Sequence, residues 1–347
     1  MDKPHVVIVG GGFCGVSCAR RLRGRADVTI VSARPYFEFT PAVPRVLTDG
    51  GVKDSIRIPL QEALPKAQVV VGTCSRITPD TVFVGQQRIG FDYLVICRGV
   101  EYPVPLRDAS RVFTVKDGQD ALAAAPVLEV SRRVLIVGGG LIGTELAGEL
   151  CTKMECEVTI VHPRESLIER NPSRASMAAL RFLRKRGVKV VFGEKVVGRA
   201  GEHFLTDKNR TVDADICFWC AGIKSDAGFL SEAFAGVVTE QKTVAVNECL
   251  QVVGFPNVFA GGDVTNVQEE KTAQNAERHG HVIAGNIIRH AGEKPLARYH
   301  GHVGPLVISL GDWYGLFVWK GFVWSGVLPG LLKRAIEWWC LFSTRYL

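Results

Sequence analysis

Residues 6–15 read VVIVGGGFCG and residues 134–143 read VLIVGGGLIG. The first phrase belongs to a strand–helix–strand pattern. HVVIV has the β-branched composition of a strand covered on both faces, VSCARRLRG reads as a helix closing near Gly24, and ADVTIV reads as the next buried strand. Gly10, Gly12 and Gly15 stand between them in GxGxxG spacing, and each has a physical task. Gly10 permits the tight turn, Gly12 lets backbone amides approach a pyrophosphate, and Gly15 lets the helix pack close to the strand. The anion then rests on the positive helix N-terminus, with Gly11, Phe13 and Cys14 completing the loop. The second phrase repeats the plan. RRVLIV is a strand, Gly138, Gly140 and Gly143 keep the spacing around Leu141 and Ile142, TELAGEL continues as a helix, and CEVTIV is the following strand. The separation of about 130 residues exceeds one such unit and suits a second domain. The expected fold is α/β, two nested Rossmann-like dinucleotide-binding domains.

A length of 347 residues agrees with about two domains. Ten cysteines lie without the spacing of a disulfide framework, which fits a reducing compartment, and Cys14 and Cys18 read as two packed thiols on one helix. The net charge of +7 suits an anionic ligand, nucleic acid or an anionic membrane, but most basic residues read as solvated positions, as in 181–189, so no nucleic acid is expected. A strand beginning at His5 leaves no room for a targeting peptide, and Asp2 stands where N-myristoylation needs glycine. No run of about 18 apolar residues escapes a charge. The expectation is a cytoplasmic, peripherally membrane-associated chain.

Where the second strand of each unit ends, a carboxylate for a ribose hydroxyl is the common choice. Here the positions hold Ser32 and His162, with Arg164 two residues beyond. Ser32 can still bond a ribose. His162 and Arg164 either tolerate a 2′-phosphate, allowing NADH or NADPH, or are plain loop residues. FDYLVICRG, ending at Gly99, and VDADICFWCAGIK, containing Gly222, each read as a strand followed by a glycine turn. In NVFAGGDVTN, Asp263 stands at the carboxyl end of a short strand, over the crevice where a ligand lies in such sheets.

Two GxGxxG units, CAGIK and NVFAGGD together resemble the two-dinucleotide-binding-domain flavoproteins over nearly the whole chain. PYFEFTPAVPRVLTDGG and KTAQNAERHGHVIAGNI are similar to segments of type II NADH:quinone oxidoreductases. VNECLQVVGFPNVFAGGD and LPGLLK look like the ferroptosis suppressor group of apoptosis-inducing-factor homologues. The resemblance implies FAD in the first unit and NADH or NADPH in the second. It implies that Asp263 holds the ribitol or pyrophosphate region of FAD, that Arg45, Gly99, Thr272 and Ala273 also contact FAD, that Val70 meets the adenine through its backbone, and that Lys271 lies near the isoalloxazine. Glu145 is implied to face the nicotinamide; otherwise it is a first-turn Glu complementing the helix dipole. Lys271 is otherwise a solvated loop lysine beside Glu269 and Glu270, and His279 and His281 read as helix-surface residues. The family's glycine turn is altered to Cys97-Arg98-Gly99, and residues 37–59 lack the Cys-x4-Cys pair of the disulfide reductases, so no thiol relay is expected.

The C-terminal stretch reads as hairpin strands within PLVISLGDWYGLFVWKGFVWSG, followed by a helix from near Pro329. Leu331, Leu332, Ala335, Ile336, Trp338, Trp339 and Phe342 cover a wide apolar face, with Lys333, Arg334 and Glu337 on a polar stripe. Such a helix suits a membrane interface, or packing on the flavin domain or a second subunit in a homodimer. The expected organisation is an FAD-binding domain over 1–110 and 233–296, an NAD(P)H-binding domain over 111–232, and a C-terminal β/helical region over 297–347. With the resemblance, this implies an FAD-dependent NAD(P)H:quinone oxidoreductase acting on a quinone such as ubiquinone. The alternatives are a reductase of a ferredoxin-like protein and a non-enzymatic flavoprotein serving in signalling or nucleic-acid binding.

Overall fold

A computed structural model of the chain describes residues 3–301 and 304–346; the expectation drawn from Asp2 falls outside them. The two glycine phrases open two parallel sheets of five strands each. In the first unit β1 (His5–Val9) leads through α1 (Phe13–Leu22) to β2 (Asp27–Ser32), and β3 (Gln68–Val71) and β4 (Tyr93–Ile96) follow. The second unit contains β5 (Val112–Phe113), β6 (Arg133–Val137), α2 (Leu141–Lys153), β7 (Glu157–His162), β8 (Lys189–Phe192) and β9 (Ile216–Trp219), in the sheet order β5-β9-β6-β7-β8. The chain then returns to the first sheet as β10 (Val258–Ala260), giving the order β10-β4-β1-β2-β3. Ala227 and Phe229, ahead of this return, are buried in the first unit's core.

The registers of the two units match. β1 sets His5 against Asp27 and Val9 against Val31, while β6 sets Arg133 against Glu157 and Val137 against Val161. Val6, Val7 and Ile8, like Leu135 and Ile136, are fully buried, as strands covered on both faces require. A hydrophobic core continues from Val6 and Ile8 through Val46 and Ala121 to Leu146 and Ile136, so the two units share one interior.

Helix α3 (Ala273–Ala291) packs on α1 of the first unit, and the C-terminal region follows it. Helix α3 crosses α1 at Gly280, where a Cβ would fall 2.3 Å from the Cys14 carbonyl oxygen. The strands β11 (Leu306–Ser309), β12 (Gly315–Trp319) and β13 (Phe322–Gly326) form an antiparallel sheet that leads into α4 (Val327–Tyr346). The hairpins and the helix agree with expectation, and of the orientations left open the helix takes the one with its apolar face outward. Its polar stripe faces the body of the protein, with Arg45 paired to Glu337 and Lys333 to Glu145. Its apolar residues face outward, Trp338 at 64% and Trp339 at 57% exposure. Among the described residues, no helix is long and apolar enough to cross a membrane.

The glycines explain why the phrase is written as it is. Gly10 and Gly138 have φ of +125° and +108°, a region that disfavours L side chains. A Cβ on Gly15 would sit 1.9 Å from the Gly10 oxygen, and one on Gly143 would sit 1.9 Å from the Gly138 oxygen. Gly12 and Gly140 differ: a Cβ on either meets nothing within 4 Å. Gly143→Ala is therefore expected to lower unfolding stability by about 1–3 kcal/mol, as overpacking does. Gly140→Ser, at an extended N-cap that suits serine, should stay within about 1 kcal/mol of the parent. Urea denaturation checks the contrast, and equal losses for the two variants would contradict this reading of the turn.

Candidate functional site

The two open glycines mark two cradles. Gly12 is the N-cap of α1 and Gly140 of α2; neither helix end has a side-chain cap or an acidic residue in its first turn. Backbone N–H groups at a helix start, with free space before them and no competing carboxylate, fit a pyrophosphate. Phe13, Cys14, Leu141 and Ile142 form the first turns, and Gly11 and Gly139 pack against what stands at the ends of β2 and β7. At the first cradle this is Ser32, whose hydroxyl accepts the Arg34 N–H at 3.3 Å. At the second it is His162, buried, whose Nδ1 accepts the Gly139 N–H at 3.0 Å while Nε2 lies 3.3 Å from Glu169. His162 thus supports the glycine loop itself. Arg164 is exposed on the loop beyond it. Val70 pairs with Val31 on the edge strand β3, half-buried. Gly99 and Gly222 leave open space beside the ends of β4 and β9, and Gly222 has φ +75°. Arg98 turns away to Asp226, at 3.6 Å, and lies over the Phe229 ring.

Asp263 follows β10 and is carried to the mouth of the first cradle, with Gly261 donating to the Ile96 carbonyl at 3.0 Å. Burial raises the Asp263 carboxyl above the usual range, with Lys271 opposing the shift. Burial lowers the Lys271 ammonium, and Asp263 and Glu269 oppose that. Lys271 is not a solvated loop residue. Its Nζ donates to the carbonyls of Thr265 at 2.9 Å and Val267 at 3.3 Å, folding the loop over Asp263. Thr272 caps α3 by accepting the Asn275 N–H at 3.3 Å, with Ala273 at the first helical position. His281 is exposed as expected, but His279 is not on the surface: it is 1% exposed, its Nδ1 accepting the Gly262 N–H at 2.9 Å. The reason is Gly280, which lets α3 approach α1 so closely that the preceding residue is driven inward.

Glu145, on α2, is buried. Its Oε1 accepts the Ser309 N–H at 2.9 Å, the Ser309 hydroxyl at 3.1 Å and the Lys333 ammonium at 3.1 Å. These contacts favour a structured role over simple complementation of the helix dipole. One turn on, Glu149 accepts the Thr48 hydroxyl at 2.8 Å and pairs with Lys153 at 2.7 Å, which also reaches Asp312 at 3.0 Å. Arg45 pairs with Glu337 of α4. Together Pro41, Pro44, Arg45, Glu145, Lys333 and Glu337 line a recess where both units and the tail meet.

The sequence reading missed Ser309 and Lys333 as partners of Glu145, because nothing local pairs residues so far apart along the chain. It also passed over the CxxC spacing of Cys217 and Cys220. Cys217 lies on β9 and Cys220 just past its end: Cys217 is fully buried, burial pushes the Cys220 thiol up to about 12, and the Cys220 carbonyl packs on Gly138. Among the described residues no cluster suits a metal ion.

Comparison with known proteins agrees with this geometry. The chain is 27% identical over 349 residues to ferroptosis suppressor protein 1 of Homo sapiens, covering 95% of this chain and 92% of that one. In fold it is similar to the sulfide:quinone oxidoreductase of Aquifex aeolicus (22% identity, TM-score 0.85, 99% of this chain and 91% of that one). It is also similar to NDH2 of Plasmodium falciparum in complex with NADH (15% identity, TM-score 0.87, 99% and 96%). The pyridine nucleotide-disulphide oxidoreductase family matches residues 4–280, which take in both cradles, Asp263 and Lys271. The chain belongs to that family, whose members use FAD and NAD(P)H.

Proposed function

We propose that the protein is an NAD(P)H:quinone oxidoreductase that works at a membrane surface. The observation that carries this reading is the two-sided C-terminal helix. One side closes on Glu145 beside the second cradle, and the other presents Leu328, Trp338, Trp339, Phe342 and Tyr346 to solvent. An exposed patch of that kind marks a partner or lipid surface, and tryptophans favour the interface between headgroup and acyl chain. An acceptor dissolved in the lipid could then reach the recess beneath the helix. The relatives support the acceptor class, since one of the similar structures is a sulfide:quinone oxidoreductase.

FAD held in the first cradle would supply two-electron redox chemistry between NAD(P)H and a quinone. The chain's own residues bind and orient. The amides around Gly12 would hold the FAD pyrophosphate and those around Gly140 the pyrophosphate of NAD(P)H. Asp263 would hold FAD hydroxyls, and Lys271 would supply positive charge near the flavin ring. Glu145 uses Oε1 for Ser309 and Lys333, and among the described residues Oε2 has no donor, so it is the oxygen available to a nicotinamide carboxamide N–H. The tail over the recess excludes water from this junction.

Anaerobic NADH should bleach the flavin band of the holoprotein, and a short-chain quinone should restore it; failure of the second step alone would redirect the search to a protein acceptor. Glu145→Gln should lower kcat/KM for NADH about tenfold while leaving FAD content unchanged. Trp338→Ser with Trp339→Ser should abolish co-sedimentation with phospholipid vesicles and spare turnover of a water-soluble quinone. Self-association in place of vesicle binding would instead assign the face to a second copy of the chain.

A further inference from the structure

Four residues from three segments form a line behind the flavin turn. The Gly262 N–H donates to His279 Nδ1 at 2.9 Å, His279 Nε2 lies 3.0 Å from Glu269 Oε1, and the Tyr299 hydroxyl donates to Glu269 Oε2 at 2.7 Å. Tyr299 also sets its ring edge-on to the imidazole, 4.4 Å between centroids. Because Nδ1 accepts, the ring proton sits on Nε2, facing the glutamate. Burial, with Lys271 nearby, pushes the His279 imidazole down to about 4, so the ring is neutral and holds this one tautomer at physiological pH. Glu269, held by the Tyr299 hydroxyl, stands beside the Nε2 edge without accepting a hydrogen bond from it, and the Gly262 N–H and the Tyr299 ring fix the imidazole's rotation.

What the line holds is a turn with little freedom to spare. Gly262 has φ +76°, and a Cβ on Gly261 would fall 2.6 Å from Cys14 Sγ and 3.0 Å from His279 Cβ. Asp263 is the next residue. Other bonds restrain the turn, from the Gly261 N–H to the Ile96 carbonyl at 3.0 Å, from the Thr265 hydroxyl to the Gly262 carbonyl at 3.0 Å and from the Ser225 hydroxyl to the Asp263 carbonyl at 3.3 Å, and the imidazole alone accepts the Gly262 N–H. Removing the acceptor leaves the Gly262 N–H buried without a partner, and the turn must open to satisfy it.

We propose that His279, steadied by Glu269 and Tyr299, is a positioning residue for FAD, fixing the Gly262–Asp263 turn so that Asp263 meets the cofactor already oriented. This rests on the reading that Asp263 holds FAD, and it adds residues outside the glycine loops to the determinants of flavin affinity. A preset carboxylate loses less freedom on binding, so the network should act on affinity.

The test measures FAD dissociation constants by quenching of flavin fluorescence on titration of deflavinated full-length protein, with NADH affinity of the second cradle measured calorimetrically in the same samples. His279→Leu should weaken FAD at least tenfold. His279→Asn, whose Oδ1 can replace Nδ1 as acceptor for the Gly262 N–H, should recover most of that loss, and Tyr299→Phe should weaken FAD about threefold. NADH affinity should be unchanged throughout. FAD affinities within twofold of the parent for both His279→Leu and Tyr299→Phe would overturn the proposal, as would parallel losses of FAD and NADH, which mark general loosening. Should His279→Leu not fold, Tyr299→Phe decides alone by the same criteria. A parent protein that itself binds no FAD would instead remove the functional reading on which the proposal stands.

Discussion

The carbonyl of Gly10 and the missing side chain of Gly15 set the distance between the first strand and the first helix, and Gly138 and Gly143 do the same in the second unit. A gap of 1.9 Å to a hypothetical Cβ leaves no room for any other residue without moving backbone. That close approach aims the helix N-terminus at the end of the sheet, and the open space at Gly12 and Gly140 follows from it. The position of the anion cradle is thus a consequence of one steric constraint, stated twice in the chain. The second unit could be inserted between β4 and β10 because each unit closes its own βαβ geometry, while the shared interior around Val46, Ala121 and Leu146 keeps them from behaving as beads on a string.

The C-terminal helix is bound by a different logic. Besides Cys340 and Leu341, which pack on the core, its contacts with the body include Lys333 to Glu145, Arg45 to Glu337, Arg334 to Asp312, and the Arg20 guanidinium to the Ser343 carbonyl at 2.7 Å. Charges held at low exposure need partners of opposite sign, and here each has one. A helix docked by its apolar face would hide the tryptophans and leave those charges in water. This one satisfies its charges internally and leaves the apolar area unsatisfied, an arrangement that is costly in water and favourable once another apolar phase covers it.

The fold was legible because its signals are local. Runs such as HVVIV and VLIV, glycines at fixed offsets and the repeat of the phrase need no knowledge of distant contacts, and Asp263 could be placed because a short strand precedes it. The site was legible only in part. Glycine positions follow from backbone geometry, but what a side chain pairs with depends on segments far away in sequence. His162 was read by its place at a strand end, and its partner proved to be the neighbouring loop amide. His279 was read as surface because histidines on a helix with polar neighbours usually are, and a single glycine after it reversed that. The inward turn of Lys333 was equally hidden, since an amphipathic pattern gives the two faces of a helix but not which one meets the protein.

The two cradles are near copies in their glycines and in their strand registers, so their distinct roles must come from what covers them. By the first lies α3, with buried His279, half-buried Lys271 and the Gly262–Asp263 turn, tied by hydrogen bonds to backbone. Such a roof suits a resident cofactor, because opening it breaks several buried bonds at once. Beside the second lies the tail, which reaches α2 through Ser309 and Lys333, carries its apolar face outward, and is held by side-chain pairs at the rim of the molecule. A roof of that kind can loosen without disturbing either sheet, which suits a substrate that must enter and leave at every turnover. On the proposed function, the duplication would supply two nucleotide sites, and the coverings would let one keep its ligand while the other exchanges it.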